Sequence, residues 1–202
     1  MVKRDKMLQI ILATKNENKV LELAEILAGL NVKLLTLKDF PECPDVIEDG
    51  KMFEENSLKK ADFVFKYTGI LALADDSGLE VDILNGEPGI YSARFSGENA
   101  SSKKNNEKLL SLLKDIPFEK RDAQFHCALA LVGKDISETT EGICKGKILN
   151  EYRGTGGFGY DPLFLYEPLN LTFAEMPAEE KNKISHRSIA FRKMRSIIEK
   201  LR

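Results

Sequence analysis

At 202 residues the chain is long enough for one sizeable domain, or one domain with a small lobe, and it can bury a core without disulfide or metal staples. Lys and Arg number 30 against 32 Asp and Glu, a net charge of -2 that gives no ground for nonspecific binding to nucleic acid or an anionic membrane. The 3 cysteines, Cys43, Cys127 and Cys144, are odd in number and form no C-x-x-C pair, which excludes a disulfide framework or zinc site and reads as reduced thiols in a cytoplasmic protein.

The start, MVKRDKMLQIILAT, sets basic residues before an apolar run. That run is too short for a signal peptide and leads into Lys15-Asn16-Glu17 rather than a cleavage site. No stretch reaches the roughly eighteen apolar residues that span a bilayer. Residues 8–13 predict a strand buried on both faces. Thr14-Lys15-Asn16-Glu17-Asn18-Lys19 follows, and then Val20, Leu23, Ala24, Leu27 and Leu30 repeat at helical spacing, which makes a strand-loop-helix unit. The loop reads in two ways: as a polar helix cap, or, with its two lysines beside a helix N-terminus, as a phosphate contact. No G-x-x-x-x-G-K-[ST] loop occurs anywhere.

Gly29 and Asn31 end that helix, and residues 32–37 predict a second strand. Residues 40–50 form a loop whose acids, Glu42, Asp45, Glu48 and Asp49, are either solvated charge or an oxygen donor to a metal. Residues 52–67 predict a helix packed on the sheet, with Phe53, Leu58, Ala61, Val64 and Phe65 on one side and Glu54, Glu55, Lys59 and Lys60 on the other. Asn56, polar near its start, is a candidate for a supporting contact to a site.

Residues 70–74 predict a short buried strand that hands over to a loop at Asp75-Asp76-Ser77-Gly78. Ligands of open α/β sheets bind beyond the carboxyl ends of strands, so a site is expected there. On an extended segment the two aspartates point to opposite faces, and one can meet a ligand or metal while the other anchors the loop. The plain alternative is a solvated turn. Gly86 and Gly89 bracket Pro88, and Arg94 follows the bend. Carboxylates, a tight bend and an arginine together suit a metal-bound polyphosphate.

Residues 101–114 predict a charged helix whose apolar part is Leu109, Leu110, Leu112 and Leu113. Residues 123–132 and 142–149 predict strands, and His126 within the first reads as structural rather than catalytic. The stretch from Arg153 to Pro162 contains a formal G-x-G-x-x-G, Gly154 to Gly159. A dinucleotide fingerprint must follow a buried strand and open a helix; here polar Asn150-Glu151-Tyr152-Arg153 precede it and Asp161-Pro162 close it, so that reading is rejected. The glycines instead let the backbone approach a flat ligand, with Phe158 or Tyr160 packing on a ring. Residues 177–188 lead into a final helix carrying Ile189, Phe191, Met194, Ile197, Ile198 and Leu201. Lys181, His186 and Arg187 at or just before its start oppose the helix dipole unless an anion is near, a local conflict expected at functional sites.

Four of these stretches, TKNENK from Thr14, ADDSGLEVDILNGEPGIYSARFSG from Ala74, GTGGFGYDP from Gly154 and KISHRSIAFRKM from Lys183, stand in the order and form of one known family. The sequence resembles the inosine triphosphate pyrophosphatase family, in its bacterial type, over nearly the whole chain. The resemblance implies an α/β fold with an elongated, curved mixed β-sheet flanked by helices, a single domain over residues 1–202, and two lobes holding a nucleotide in a central cleft. It also implies a homodimer and magnesium-dependent hydrolysis of noncanonical purine nucleoside triphosphates, those of inosine, deoxyinosine and xanthosine, to monophosphate and pyrophosphate. By motif position it implies Asp76 as the catalytic carboxylate and a magnesium ligand. Thr14, Lys15, Asn16, Glu17, Asn18, Lys19 and Ser77 carry over as phosphate contacts, and Phe158, Gly159, Tyr160, Asp161, Lys181, His186 and Arg187 as contacts to the nucleotide and its base. Where bacterial members often carry two acids three and two residues before a glycine, this chain has Ile47-Glu48 before Asp49-Gly50. Glu48 is then the expected second metal ligand, Glu42 the alternative, unless Asp76 and the phosphates alone hold the ion.

The chemistry of the residues agrees with that resemblance. No Ser-His-Asp or Cys-His nucleophile system is visible, and anhydride hydrolysis needs positioned water, a divalent cation and charge stabilisation instead. A 6-oxo purine accepts a hydrogen bond where adenine donates one. A pocket donor such as His186 or Arg187 would be left unpaired by adenine, at about 1–3 kcal/mol. Two other readings compete: a pyrophosphatase for modified pyrimidine triphosphates, and a non-catalytic nucleotide sensor, which would not require Asp76.

Overall fold

The structure, a computed structural model, describes residues 7–201; the basic start at residues 1–6 lies outside the described residues. In chain order the elements are β1 (Leu8–Leu12), α1 (Glu17–Leu27), β2 (Val32–Thr36), α2 (Phe53–Thr68), β3 (Leu71–Val81), α3 (Ser102–Leu112), β4 (Asp122–Gly133), β5 (Ile136–Ile148), β6 (Phe164–Tyr166), β7 (Leu171–Thr172), α4 (Ala178–Ile184) and α5 (His186–Lys200), with short 3-10 turns between several of them. The strands form one seven-stranded open sheet in the order β2-β1-β3-β4-β5-β6-β7. It is mixed. β1 pairs in parallel with β2 and β3, as a strand-helix-strand crossover through α1 requires, whereas β6 pairs antiparallel with β5 and β7. This is the expected α/β architecture of a mixed sheet flanked by helices.

The chain divides into two compact units. One gathers the chain up to Asp76, Ala128–Glu141 and the chain from Ala190; the other holds Ser77–Cys127 and Gly142–Ile189. In the first, β1, α2, the leading half of β3 and the end of β4 close a core that includes Ile11, Ala13, Ala61, Val64, Ala72, Ala74, Ala130 and Val132. Its larger buried members, such as Ile11 and Val64, contribute about 1.5–3 kcal/mol each, and the alanines let the elements approach closely. The second is built on aromatic packing. Phe125 lies 4.6 Å from Phe164 and 5.5 Å from Phe173, ring centre to ring centre. His126 falls in this unit beside Glu80, Nδ1 to carboxylate 3.5 Å, and Gln124 holds the same carboxylate at 2.7 Å. The structural reading of that histidine agrees with this pairing.

Four expectations are corrected. β3 does not stop at residue 74 but runs on to Val81, so Asp75-Asp76-Ser77-Gly78 lie inside a strand rather than in a loop beyond it. The strand survives two consecutive acids because each meets a cation from another element, as described below. β5 begins at Ile136, well before residue 142, and its first six residues have no buried member, which hid their strand character from hydrophobic alternation. α1 begins at Glu17, so Glu17, Asn18 and Lys19 form its first turn. The approach to α5 is itself helical: Lys181 belongs to α4, separated from α5 by Ser185.

Candidate active site

Asp75 and Asp76 are consecutive in β3 and therefore project to opposite faces. Both are buried, at 0% and 6% exposure. Asp75 pairs with Lys19 in the first turn of α1, Oδ2 to Nζ 3.0 Å. Asp76 meets α2 instead. The Asn56 amide donates to its Oδ2 at 3.0 Å, and Lys60 Nζ stands 3.5 Å from its Oδ1. Asn56 and Lys60 are one helical turn apart, so a single face of α2 delivers both. The Asn56 Oδ1 in turn accepts from the backbone N of Gly50 at 2.8 Å, which fastens the acidic loop to the same helix. Gly50 has to be glycine for this approach, since a Cβ there would lie 2.6 Å from Asn56 Oδ1.

That loop brings Glu48 to Lys60, Oε1 to Nζ 3.2 Å, so one ammonium holds Glu48 and Asp76 together. Glu42 is exposed, and Ile47, the residue where an acid was expected, is 75% exposed. Burial is the largest influence on Asp76 and pushes its carboxyl above the usual aspartate range, against the pull of Lys60, Lys19 and the Asn56 amide. Burial pulls Lys60 down, but Asp76, Asp75 and Glu48 together outweigh it and raise the ammonium above its usual value. Magnesium takes oxygen ligands, commonly one or two carboxylates with phosphates and water completing the shell. Among the described residues no group of three or more Asp, Glu, His or Cys side chains stands ready to cage a metal. The pair Glu48 and Asp76, all oxygen and without histidine or thiolate, fits magnesium shared with a phosphorylated substrate and does not fit zinc.

The first helix start is arranged differently from a bare anion site. Asn16 caps α1, its Oδ1 accepting from Asn18 N at 3.0 Å and Lys19 N at 3.3 Å, and Thr14 Oγ1 accepts from Asn16 N at 3.2 Å. Lys15 pairs with Asp45 at 2.6 Å and Glu17 with Lys38 at 2.7 Å, both on the surface. The cap is thus formed by the loop's own asparagine, and the lysine turned inward is Lys19.

The second unit collects the other expected residues around Asp161. Its Oδ2 accepts from Phe158 N at 2.8 Å and from Lys181 Nζ at 2.7 Å. Gly157, at φ 68°, is obligatory, because a Cβ would collide with that carboxylate. Lys181 Nζ lies 5.2 Å from the Phe158 ring centre and Arg187 Cζ 5.9 Å from it, both within cation-π range. Arg187, at 1% exposure, donates from Nη2 to Ser77 Oγ at 2.9 Å. His186, the first residue of α5, stacks on Phe125 at 4.8 Å and 14°. Tyr160 is turned into the core, its hydroxyl donating to Ser92 O at 2.9 Å, and burial pushes its phenol up. Of the two aromatic rings named for packing on a base, Phe158 is therefore the one left half-exposed. Arg94 lies exposed over the Tyr91 ring at 5.1 Å.

The Ham1 family model matches residues 10–197. The chain belongs to the Ham1 family. Among curated relatives, a protein of Geobacter sulfurreducens named dITP/XTP pyrophosphatase is 54% identical over 185 residues, covering 91% of this chain and 93% of the relative. One of the same name from Desulforamulus reducens is 48% identical over 195 residues, covering 96% and 97%. Among solved structures, a Ham1 protein from Coxiella burnetii superposes with a TM-score of 0.88 at 38% identity, and the Staphylococcus aureus Ham1 protein with 0.86 at 37%; each comparison covers 96% of this chain and 100% of the other.

Within this Ham1 chain, sequence reasoning missed Lys60, which it assigned to the solvent side of α2. The structure leaves the residue 8% exposed among three carboxylates. The signal was available in its spacing, four residues after Asn56 and next to buried Ala61. Sequence reasoning also left Asp75 without a partner and gave no role to Asn105 and Asn106 of α3.

Proposed function

We propose that the chain is a magnesium-dependent pyrophosphohydrolase that converts the triphosphates of inosine, deoxyinosine and xanthosine to monophosphate and pyrophosphate, working in the cytoplasm as a homodimer. The observation that carries the reading is the buried Asp76, held by Asn56 and Lys60 with Glu48 on the same ammonium, in a chain whose relatives bear the name dITP/XTP pyrophosphatase. Among the described residues no helix is long and apolar enough to cross a membrane.

Asp76 orients the attacking water and holds its proton. With Asn56 on one oxygen and Lys60 beside the other, the carboxylate keeps one orientation, and the reacting geometry is set before substrate arrives. Asp75, pointing the other way onto Lys19, does not compete for the same proton. Lys19 and Lys60 offset the negative charge of the phosphates. Magnesium, when bound by Asp76 and Glu48, supplies Lewis-acid polarisation of phosphoryl oxygens. Phe158 packs on the purine, and the donors of His186 and Arg187 favour a 6-oxo group over adenine.

A pH dependence follows from the direction of the Asp76 shift. Turnover needs the carboxylate, so kcat/KM falls on the acid side with its midpoint above the ordinary aspartate range; a midpoint at or below that range contradicts the burial argument. The stability sign is opposite. A carboxyl that holds its proton more tightly folded than unfolded favours the folded state below its unfolded pKa, and that contribution is lost as pH rises through the folded value. Lys60→Met is expected to move the activity midpoint further up, because the cation beside Asp76 that favours its ionised form is gone.

A panel of triphosphates with pyrophosphate detection tests the substrate assignment. Inosine, deoxyinosine and xanthosine triphosphates are expected to exceed adenosine triphosphate by about tenfold or more in kcat/KM, the effect of one unpaired donor. A preference for methylated pyrimidine triphosphates would overturn it.

A further inference from the structure

α3 carries two asparagines on its buried side, Asn105 and Asn106, one turn before the core residue Leu109. Asparagine is a weak helix former and a buried amide must find partners, so neither propensity nor apolar packing accounts for the pair. Both send their amide donors outside the helix to backbone carbonyls. Asn105 Nδ2 donates to Ser92 O and Ala93 O at 3.1 Å each, and Asn106 Nδ2 donates to Gly159 O at 3.0 Å. Asn105 is matched at its other end as well, its Oδ1 accepting from Ser96 N at 2.8 Å and Ser96 Oγ at 2.7 Å.

Asn106 differs. It is 2% exposed, and among the described residues its buried Oδ1 has no hydrogen-bond donor. Turning the amide over would set that oxygen against the Gly159 carbonyl, so the orientation is fixed by the bond it makes. A buried acceptor left unmatched disfavours folding, and stability forgone at a single position points to a function for it. The Gly159 carbonyl is the next residue after Phe158, in a glycine at φ 62°. Phe158 N is already held by Asp161. The loop is therefore fixed at Phe158 N and again at Gly159 O, and the two bonds together set the direction in which the Phe158 ring leaves the backbone. Tyr160, bonded to Ser92 O from the far side of Gly159, completes the restraint.

We propose that Asn106 is a positioning residue for nucleoside recognition, aiming the Phe158 ring through the Gly159 carbonyl without touching substrate. This rests on the assignment of Phe158 to the base made above. The test compares Asn106→Ala, Asn106→Ser and Phe158→Ala with the native enzyme. Measured are KM and kcat for inosine triphosphate, the inhibition constant of inorganic triphosphate, which has no base, and the thermal midpoint. In both Asn106 variants KM is expected to rise about tenfold, the equivalent of about 1.4 kcal/mol, while kcat and the inhibition constant stay within about twofold and the midpoint within about 4 °C. If Phe158→Ala raises KM and the Asn106 variants leave it unchanged, the positioning role is wrong and the proposed function stands. If Phe158→Ala also leaves KM unchanged, the base assignment itself fails and this role falls with it. A rise of KM and the inhibition constant together in the Asn106 variants makes Asn106 a structural residue only and overturns the proposal.

Discussion

Asp76→Asn is expected to lower kcat by about 10²–10⁴-fold, the range associated with losing a positioned general base, while the protein stays folded and still binds nucleotide. The substitution keeps the shape of the side chain and removes its charge. Folding should tolerate it, because burial already disfavours the Asp76 anion and Lys60 keeps Glu48 at 3.2 Å as a counter-ion. The measurement is kcat beside a thermal midpoint and equilibrium binding of inosine triphosphate. Near-native turnover in a folded variant would remove Asp76 from the chemistry. A collapse of the thermal midpoint would mean that Asp76 is chiefly an ion-pair partner for α2.

The second large effect is one of stability. Lys181→Ala leaves Asp161, 3% exposed, without its ammonium, and breaking a buried ion pair from one side costs about 3–5 kcal/mol. Phe158 N still donates to the same oxygen, so the lower end applies. For a chain of this length the thermal midpoint should fall by roughly 6–12 °C. KM for the nucleotide should rise with it, since the Phe158 loop loses an anchor. Adding Asp161→Asn to Lys181→Ala replaces the stranded anion with a neutral amide that can still accept from Phe158 N. It should recover part of the loss, and a double variant no more stable than Lys181→Ala would show that the buried charge was not the cause.

Periodicity served where burial alternates plainly. β1, α2, α3 and β4 fall close to their expected bounds, and the rejection of a dinucleotide fingerprint at Gly154 to Gly159 agrees with a loop that opens no helix. Local reading failed where the stabilising partner is remote in sequence. Asp75-Asp76-Ser77-Gly78 has the composition of a turn, and the lysines that let it continue as strand lie 56 residues back for Asp75 and 16 for Asp76, in α1 and α2. Lys60 read as a solvent-facing charge because helical periodicity ranks lysine as polar, whatever acids the sheet brings against it. Tyr160 and Phe158 are two residues apart in one glycine-rich stretch, and sequence offered nothing to tell the core ring from the half-exposed one. Lys19, expected to serve phosphate alone, also neutralises the fully buried Asp75, so its removal should affect stability as well as binding. Asn105 and Asn106 were invisible for the same reason: both bond to backbone carbonyls, which leave no residue pattern.

The site acids and their cations come from elements whose order was legible, but the pairings were not. Two adjacent carboxylates serve two separate purposes here. One closes the fold onto α1, and the other, fixed by a single face of α2, is the carboxylate we propose for the chemistry.

Product analysis tests the central claim most directly. Incubating the protein with inosine triphosphate and magnesium and resolving the phosphorylated products is expected to give inosine monophosphate and pyrophosphate in equal amounts. Inosine diphosphate with orthophosphate, or no consumption of the nucleotide at all, would contradict it.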